Sequence, residues 1–176
     1  MDFSGPDPTT EFALQAASYA LGLAHSWKLP PVADRVLNAG IYSAALAASN
    51  DPIMSNVGPL FERAVLDLGL TMPARTEAAS ILTRYLAERL ANSDGQVAVD
   101  LESLHDLYDE TCEDIPDHKY LGDGLDVAAL MGIWASYDCP NENFYEGRLV
   151  DEPERISILH RRAREESAAW LQRHPL

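Results

Sequence analysis

No apolar run in this chain of 176 residues approaches the roughly 20 residues that cross a bilayer, so no membrane span is expected. Cysteine is nearly missing. Cys112 and Cys139 are the only two, too few for a disulfide scaffold, and they are expected as reduced thiols in a cytoplasmic protein. The opening Met1-Asp2-Phe3-Ser4-Gly5-Pro6-Asp7-Pro8 has no basic stretch ahead of an apolar one, which predicts no secretory signal. Basic residues are scarce: 13 Lys and Arg stand against 28 Asp and Glu, for a net charge of −15. Phosphates and anionic headgroups repel such a chain, which argues against nucleic acid or an anionic membrane as partner. Strand-length alternation is almost lacking, since Gln96-Val97-Ala98-Val99 is too short to stand alone. No repeat period is found. With 47% apolar and 23% charged residues, the composition is that of a folded domain rather than a disordered one.

What the chain does have is acid in one place. Residues 100–151 hold 14 of the 28 acids and only two bases, Lys119 and Arg148, a net of −12. Residues 1–99 sum to −4 and residues 152–176 to +1. Carboxylates at that density repel one another and destabilise the compact state unless a partner, a cation or hydration offsets them. Basic proteins or metal cations are the partners such a charge favours. Arg155, Arg161, Arg162 and Arg164 of the closing segment offer an internal alternative, although exposed ion pairs contribute only about 0–1 kcal/mol each.

Proline and glycine divide the chain into helical lengths. Asp7-Pro8 reads as an N-cap with proline at the first helical position. Phe12, Ala16, Tyr19, Ala20, Leu23 and Trp27 then follow at helical spacing. After Pro30-Pro31, a second stripe runs through Val32, Val36, Leu37, Ile41, Ala44, Ala45 and Ala48, closed by Asn50-Asp51-Pro52. Pro59 opens a helix ended by Gly69, and Pro73 opens another that runs to the turn Asn92-Ser93-Asp94-Gly95. Asp100 is placed to cap a helix carrying Leu101, Leu104, Tyr108 and Cys112. Pro116 to Gly124 reads as a loop, followed by a helix with Leu125, Ala128, Ala129, Ile133, Trp134 and Tyr137. Residues 138–151 read as an irregular loop, and a last helix runs from about Pro153 to Arg173. The expected fold is all-α: a compact bundle of about seven helices with short loops, in a single domain over 1–176, with 92–100 as the place for any subdomain boundary. Gly22, Gly40 and Gly132 fall inside three of these helices, each costing roughly 1 kcal/mol relative to alanine; close backbone approach at helix crossings is the expected compensation.

The chemical motifs are sparse. Glu102 and His105 have Glu-x-x-His spacing, which puts both on one helix face. A ferritin-like di-metal centre needs two such pairs, and no other histidine here has a glutamate three residues before it. Calcium-loop spacing fails around Asp94, Asp114 and Asp138. Asp117-His118 near Cys112 lacks the oxyanion-stabilising context of nucleophilic catalysis, and neither a Gly-x-Ser-x-Gly nor a phosphate loop is present. No catalytic residue, metal centre or cofactor is assigned. Glu110 with Glu113, followed by Asp123 with Asp126, resembles the paired acidic clusters of all-α nucleotide pyrophosphohydrolases. That resemblance implies a second reading, a small enzyme holding magnesium with carboxylates from residues 102–126. The second pair departs from the pattern in starting with aspartate and spanning a loop-helix junction.

Two stretches mix carboxylates with aromatics. Asp114, Asp117, Tyr120 and Asp123 lie in the first; Glu142, Phe144 and Tyr145 lie in the second. Aromatic anchors ringed by charge suit a protein interface, with area in the centre and steering around it. Alternatively, Phe144 and Tyr145 pin a long loop to the core while the acids stay hydrated. Ser93-Asp94-Gly95 ahead of Leu101, Leu104 and Leu107, then Leu130, Trp134 and Tyr137, and finally Asp151-Glu152-Pro153-Glu154-Arg155 give residues 93–170 a further likeness. This half resembles small bacterial all-α proteins of unknown function, including immunity-type proteins of toxin systems. The resemblance implies an acidic, non-enzymatic binder. The leading expectation is therefore an interaction module that meets a basic protein through residues 100–151.

Overall fold

The computed structural model describes residues 3, 7–49, 57–92, 96–117, 119–137, 139, 144–145 and 147–175. It is all-α, with eight α-helices and one two-stranded sheet among these residues. The chain forms two compact units, Met1–Leu82 and Thr83–Leu176.

The first unit holds α1 (Pro8–Ala20), a 3-10 turn (Ser26–Lys28), α2 (Leu29–Asn38), α3 (Ala44–Ser49), α4 (Val57–Asp67) and the start of α5 (Arg75–Asn92). Asp7 caps α1 as its sequence predicts: its carboxylate accepts from the Thr9 and Thr10 N–H groups at 3.0 and 3.2 Å, with Pro8 in the first turn. Phe12, Leu29, Val32, Val36, Leu46, Phe61 and Val65 form the core, where the Phe12 and Phe61 rings lie 4.9 Å apart. Within it Glu11 is buried, and Arg35 of α2 grips both carboxylate oxygens through Nε at 2.9 and 3.0 Å.

Two expected helices are shorter than the apolar spacing suggests. Gly22 and Gly40 are not helix-interior residues; they stop α1 and α2 in the left-handed region, at φ 81° and 82°. The Gly22 N–H donates to the Tyr19 carbonyl and the Leu23 N–H to the Ser18 carbonyl, and the same pair of bonds recurs at Gly40–Ile41 and at Gly69–Leu70. Each is a Schellman ending, in which glycine takes the left-handed position and the next apolar residue folds back. In consequence the first helix does not reach Trp27, which is 69% exposed and stacks on His25 at 6.3 Å. The second stripe is likewise broken, and Ser43 restarts the chain as α3 by accepting from the Leu46 N–H at 2.9 Å. The turns expected at residues 50–52 and 93–95 lie outside the described residues.

The second unit comprises the rest of α5, α6 (Val97–Thr111), α7 (Ala128–Tyr137), the strands β1 (Phe144–Tyr145) and β2 (Arg148–Leu149), and α8 (Glu152–Arg173). α7 packs against both α6 and α8. Residues 138–151, expected as irregular loop, contain an antiparallel hairpin instead, pairing Phe144 with Leu149 and Tyr145 with Arg148. Gly147, at φ 82°, supplies the tight turn that the loop reading overlooked. Asp151 caps α8 through the Glu154 N–H at 2.9 Å. Arg155 one turn in is only 2% exposed; it donates to both Glu152 oxygens at 2.7 and 2.8 Å and to the Ser136 carbonyl of α7 at 2.7 Å.

Asp100 is not a cap. α6 begins three residues earlier, and Asp100 is 1% exposed inside the unit, with Oδ1 2.9 Å from Arg89 Nη2 and Oδ2 without a hydrogen-bond partner. Burial pushes its carboxyl above the usual 3.8, and the Arg89 charge only partly opposes this. A carboxyl raised in the fold is destabilising once ionised: stability is highest below the unfolded pKa and declines as pH rises through the folded one. Asp100→Asn keeps the shape and removes the charge. Urea unfolding should find this variant as stable as the parent or more so at pH 7, with the advantage vanishing at pH 3.

Gly132 sits inside α7, yet a Cβ there would meet nothing within 4 Å. The close crossing expected at this glycine does not exist, and the position opens on a groove. Gly132→Ala should therefore stabilise the protein by about 0.5–1 kcal/mol through helix propensity, measured as a higher urea midpoint at unchanged slope.

Candidate functional site

Residues 97–117 hold eight carboxylates and no lysine or arginine. The apolar stripe Leu101, Leu104 and Leu107 turns inward, so helical geometry sends the others out. Glu102, Asp106, Asp109, Glu110, Glu113 and Asp114 are all exposed. The last four gather at the C-terminal end of α6, which has no basic residue in its last turn. That end already carries the negative pole of the helix dipole, so each further carboxylate is unfavourable by a few tenths of a kcal/mol. Glu102 with Asp106, and Asp106 with Glu110, add like-charge neighbours at four-residue spacing.

The His105 ring stacks on Trp134 of α7 at 3.7 Å, and Nδ1 lies 3.6 Å from the Asp109 carboxylate. The Glu-x-x-His spacing therefore yields one exposed glutamate and one histidine occupied by an indole.

The connection after α6 is organised by its own acids. Asp117 Oδ2 accepts from the Tyr108 hydroxyl at 2.7 Å and the Gly122 N–H at 2.9 Å, while Oδ1 accepts from the Gly124 N–H at 3.0 Å. Partial burial opposes its charge, yet the Gly124 N–H, the Tyr108 hydroxyl and the Gly122 N–H together hold its carboxyl below the usual 3.8. The same bond to Asp117 pushes Tyr108 up to about 12. Asp123 Oδ2 accepts from the Lys119 and Tyr120 N–H groups at 2.7 and 2.9 Å. A Cβ at Gly124 would lie 2.6 Å from the Ile115 carbonyl oxygen, so only glycine fits there.

Of the expected partner-binding residues, Asp114 is exposed, whereas Asp117 and Asp123 serve the loop's interior. Tyr120 is 60% exposed, beside the exposed Leu121, with Lys119 Nζ 4.8 Å from its ring centre. Phe144 is 67% exposed, opposite the exposed Leu149. Tyr145 is 7% exposed and faces the other way, with the Arg162 guanidinium 5.7 Å from its ring centre; it pins the hairpin to α8. Glu142, like His118, lies outside the described residues. Tyr120 precedes α7 and Phe144 follows it, and the helix between them has ten residues, about 15 Å of rise.

Comparisons with protein-family models, curated proteins and solved structures find no match. The site is therefore read from its own chemistry. Glu110 and Glu113 face solvent, Asp123 is taken by backbone donors, and Asp126 binds Arg173 at 2.8 Å. Among the described residues no three of His, Cys, Asp and Glu converge as metal ligands. No described helix is long and apolar enough to cross a membrane. A groove of about 450 Å³ runs between α7 and α8, lined by Ala129, Gly132, Ser136, Leu159, Arg162 and Glu166 among others. Its charged lining, Arg162 with Glu165 and Glu166, is of both signs.

The Asp117 geometry has a measurable consequence. A carboxyl lowered in the fold adds stability that is fully present above the unfolded pKa and lost as pH falls through the folded one. Asp117→Ala should lower the unfolding free energy by about 2–3 kcal/mol at pH 7, from the hydrogen bonds to a charged group. The deficit should shrink below pH 4, as followed by urea denaturation across pH.

Proposed function

We propose that this protein is an acidic interaction module that engages a basic protein surface, acting as an immunity-type or regulatory binder within the cytoplasm. The observation that carries this reading is the exposed carboxylate face of α6, uninterrupted by any base and crowded at the negative end of the helix. Repulsion there is relieved when cations from a partner approach. The field also raises the local concentration of a basic protein and speeds encounter. Tyr120 and Leu121, on the connection after α6, supply apolar area next in the chain to the carboxylates, which suits a contact with a greasy centre and a charged surround. Asp117 and Asp123 fix that connection from within, so little ordering is left for the moment of binding.

The partner is to be recovered by pull-down from the native host and its kinetics followed on a surface at several salt concentrations. Reversing Glu102, Asp106 and Glu113 to lysine, three exposed positions, should slow association at low salt by about tenfold or more and flatten its salt dependence. Tyr120→Ala should act on the dissociation rate instead. If the triple reversal leaves association unchanged while circular dichroism shows a folded protein, α6 is merely a hydrated face and the reading falls.

A further inference from the structure

We propose that the last turn of α8 is a strap that holds the Tyr120–Leu121 connection in the shape it presents to solvent. Asp126, which closes that connection, has φ 56°, the only positive φ outside glycine among the described residues. An L-residue keeps such a conformation only where its surroundings hold it there. Here the hold is visible. Asp126 Oδ2 accepts from Arg173 Nε at 2.8 Å and lies 3.0 Å from His174 Nε2. The preceding residue is held too, since Trp170 Nε1 donates to the Leu125 carbonyl at 3.2 Å. Two of these groups brace each other, the Trp170 and His174 rings stacking at 4.2 Å, and Arg84 of α5 donates to the His174 carbonyl.

The connection is therefore fixed at two points of different kind. Its Asp117 end is anchored internally, by Tyr108 and two backbone N–H groups. Its Asp126 end is anchored to a distant helix by side chains that are about half exposed. Exposed ion pairs exchange readily with water, so the second anchor is the one that releases. Once it lets go, the left-handed Asp126 is left to its backbone bonds and to the Trp170 contact on Leu125, and a change of φ there moves Leu121 and Tyr120 relative to α7. Only the use of this device in binding rests on the interaction reading above; the strap itself does not.

The test is backbone amide hydrogen exchange on the intact chain. In Arg173→Ala/His174→Ala, exchange at the Gly122, Asp126 and Val127 amides, which donate to Asp117, Asp123 and Gly122, should accelerate at least tenfold while the middle of α6 is unchanged. Asp126→Ala should do the same, and Asp126→Gly, which removes the carboxylate but is at ease at positive φ, should accelerate exchange less than alanine. Exchange indistinguishable from the parent in the double variant overturns the strap. Oligolysine, titrated against the labelled protein, addresses the rest. Weaker perturbation of the Tyr120 and Leu121 amides in the double variant is expected, and equal perturbation overturns the link to presentation. Failure of oligolysine to perturb the parent would instead count against the interaction reading, leaving the exchange result to decide the strap.

Discussion

A single carboxylate, that of Asp117, determines whether the acidic half of this protein has a defined surface. It draws a tyrosine hydroxyl from α6 and two glycine N–H groups onto its oxygens, closing the connection between α6 and α7 around a partly buried negative charge. Without those donors the segment would be a run of mutually repelling acids. With them, one acid becomes the organising centre and Asp123 performs the same service a few residues on. The remaining carboxylates are displaced outward, onto α6 and its end. Density of charge in the sequence thus separates into physical classes: acids that accept from the backbone and shape the loop, acids paired with a base, such as Asp100 and Asp126, and acids on the exposed face of α6.

The helical periodicity was legible because apolar residues at 3.6 spacing and proline punctuation carry local information, and the caps at Asp7 and Asp151 act within three residues. Gly22 and Gly40 misled because the apolar stripe continues past them. The signal that separates an ending from an interior glycine is the apolar residue immediately after it, Leu23, Ile41 or Leu70, which each Schellman ending folds back. Gly132, followed by Ile133, shows that this signal alone is insufficient. Asp100 has the look of a cap until Arg89 of α5 is found beside it. The hairpin was hidden because two-residue strands leave no alternation to detect.

The candidate site was less legible than the fold. Exposure of the α6 acids follows from the position of Leu101, Leu104 and Leu107, and so could be read in advance. The burial of Tyr145 under Arg162 and the grip of Arg173 and His174 on Asp126 depend on residues 17 to 48 positions away, where sequence patterning has no reach. The same holds for Arg35 on Glu11. Tertiary partners decide which charged groups stay available.

Each of the three tryptophans lies against a histidine: Trp27 on His25, Trp134 on His105 and Trp170 on His174. A ring stacked on an indole gives the excited state a route to lose its energy without emitting light. The molecule consequently carries three built-in optical reporters, one on the 3-10 turn of the first unit, one where α6 meets α7, and one at the end of α8. Their emission intensity follows local stacking as well as burial. A change in the intensity of intrinsic fluorescence in this protein is thus a statement about ring contacts, not simply about unfolding.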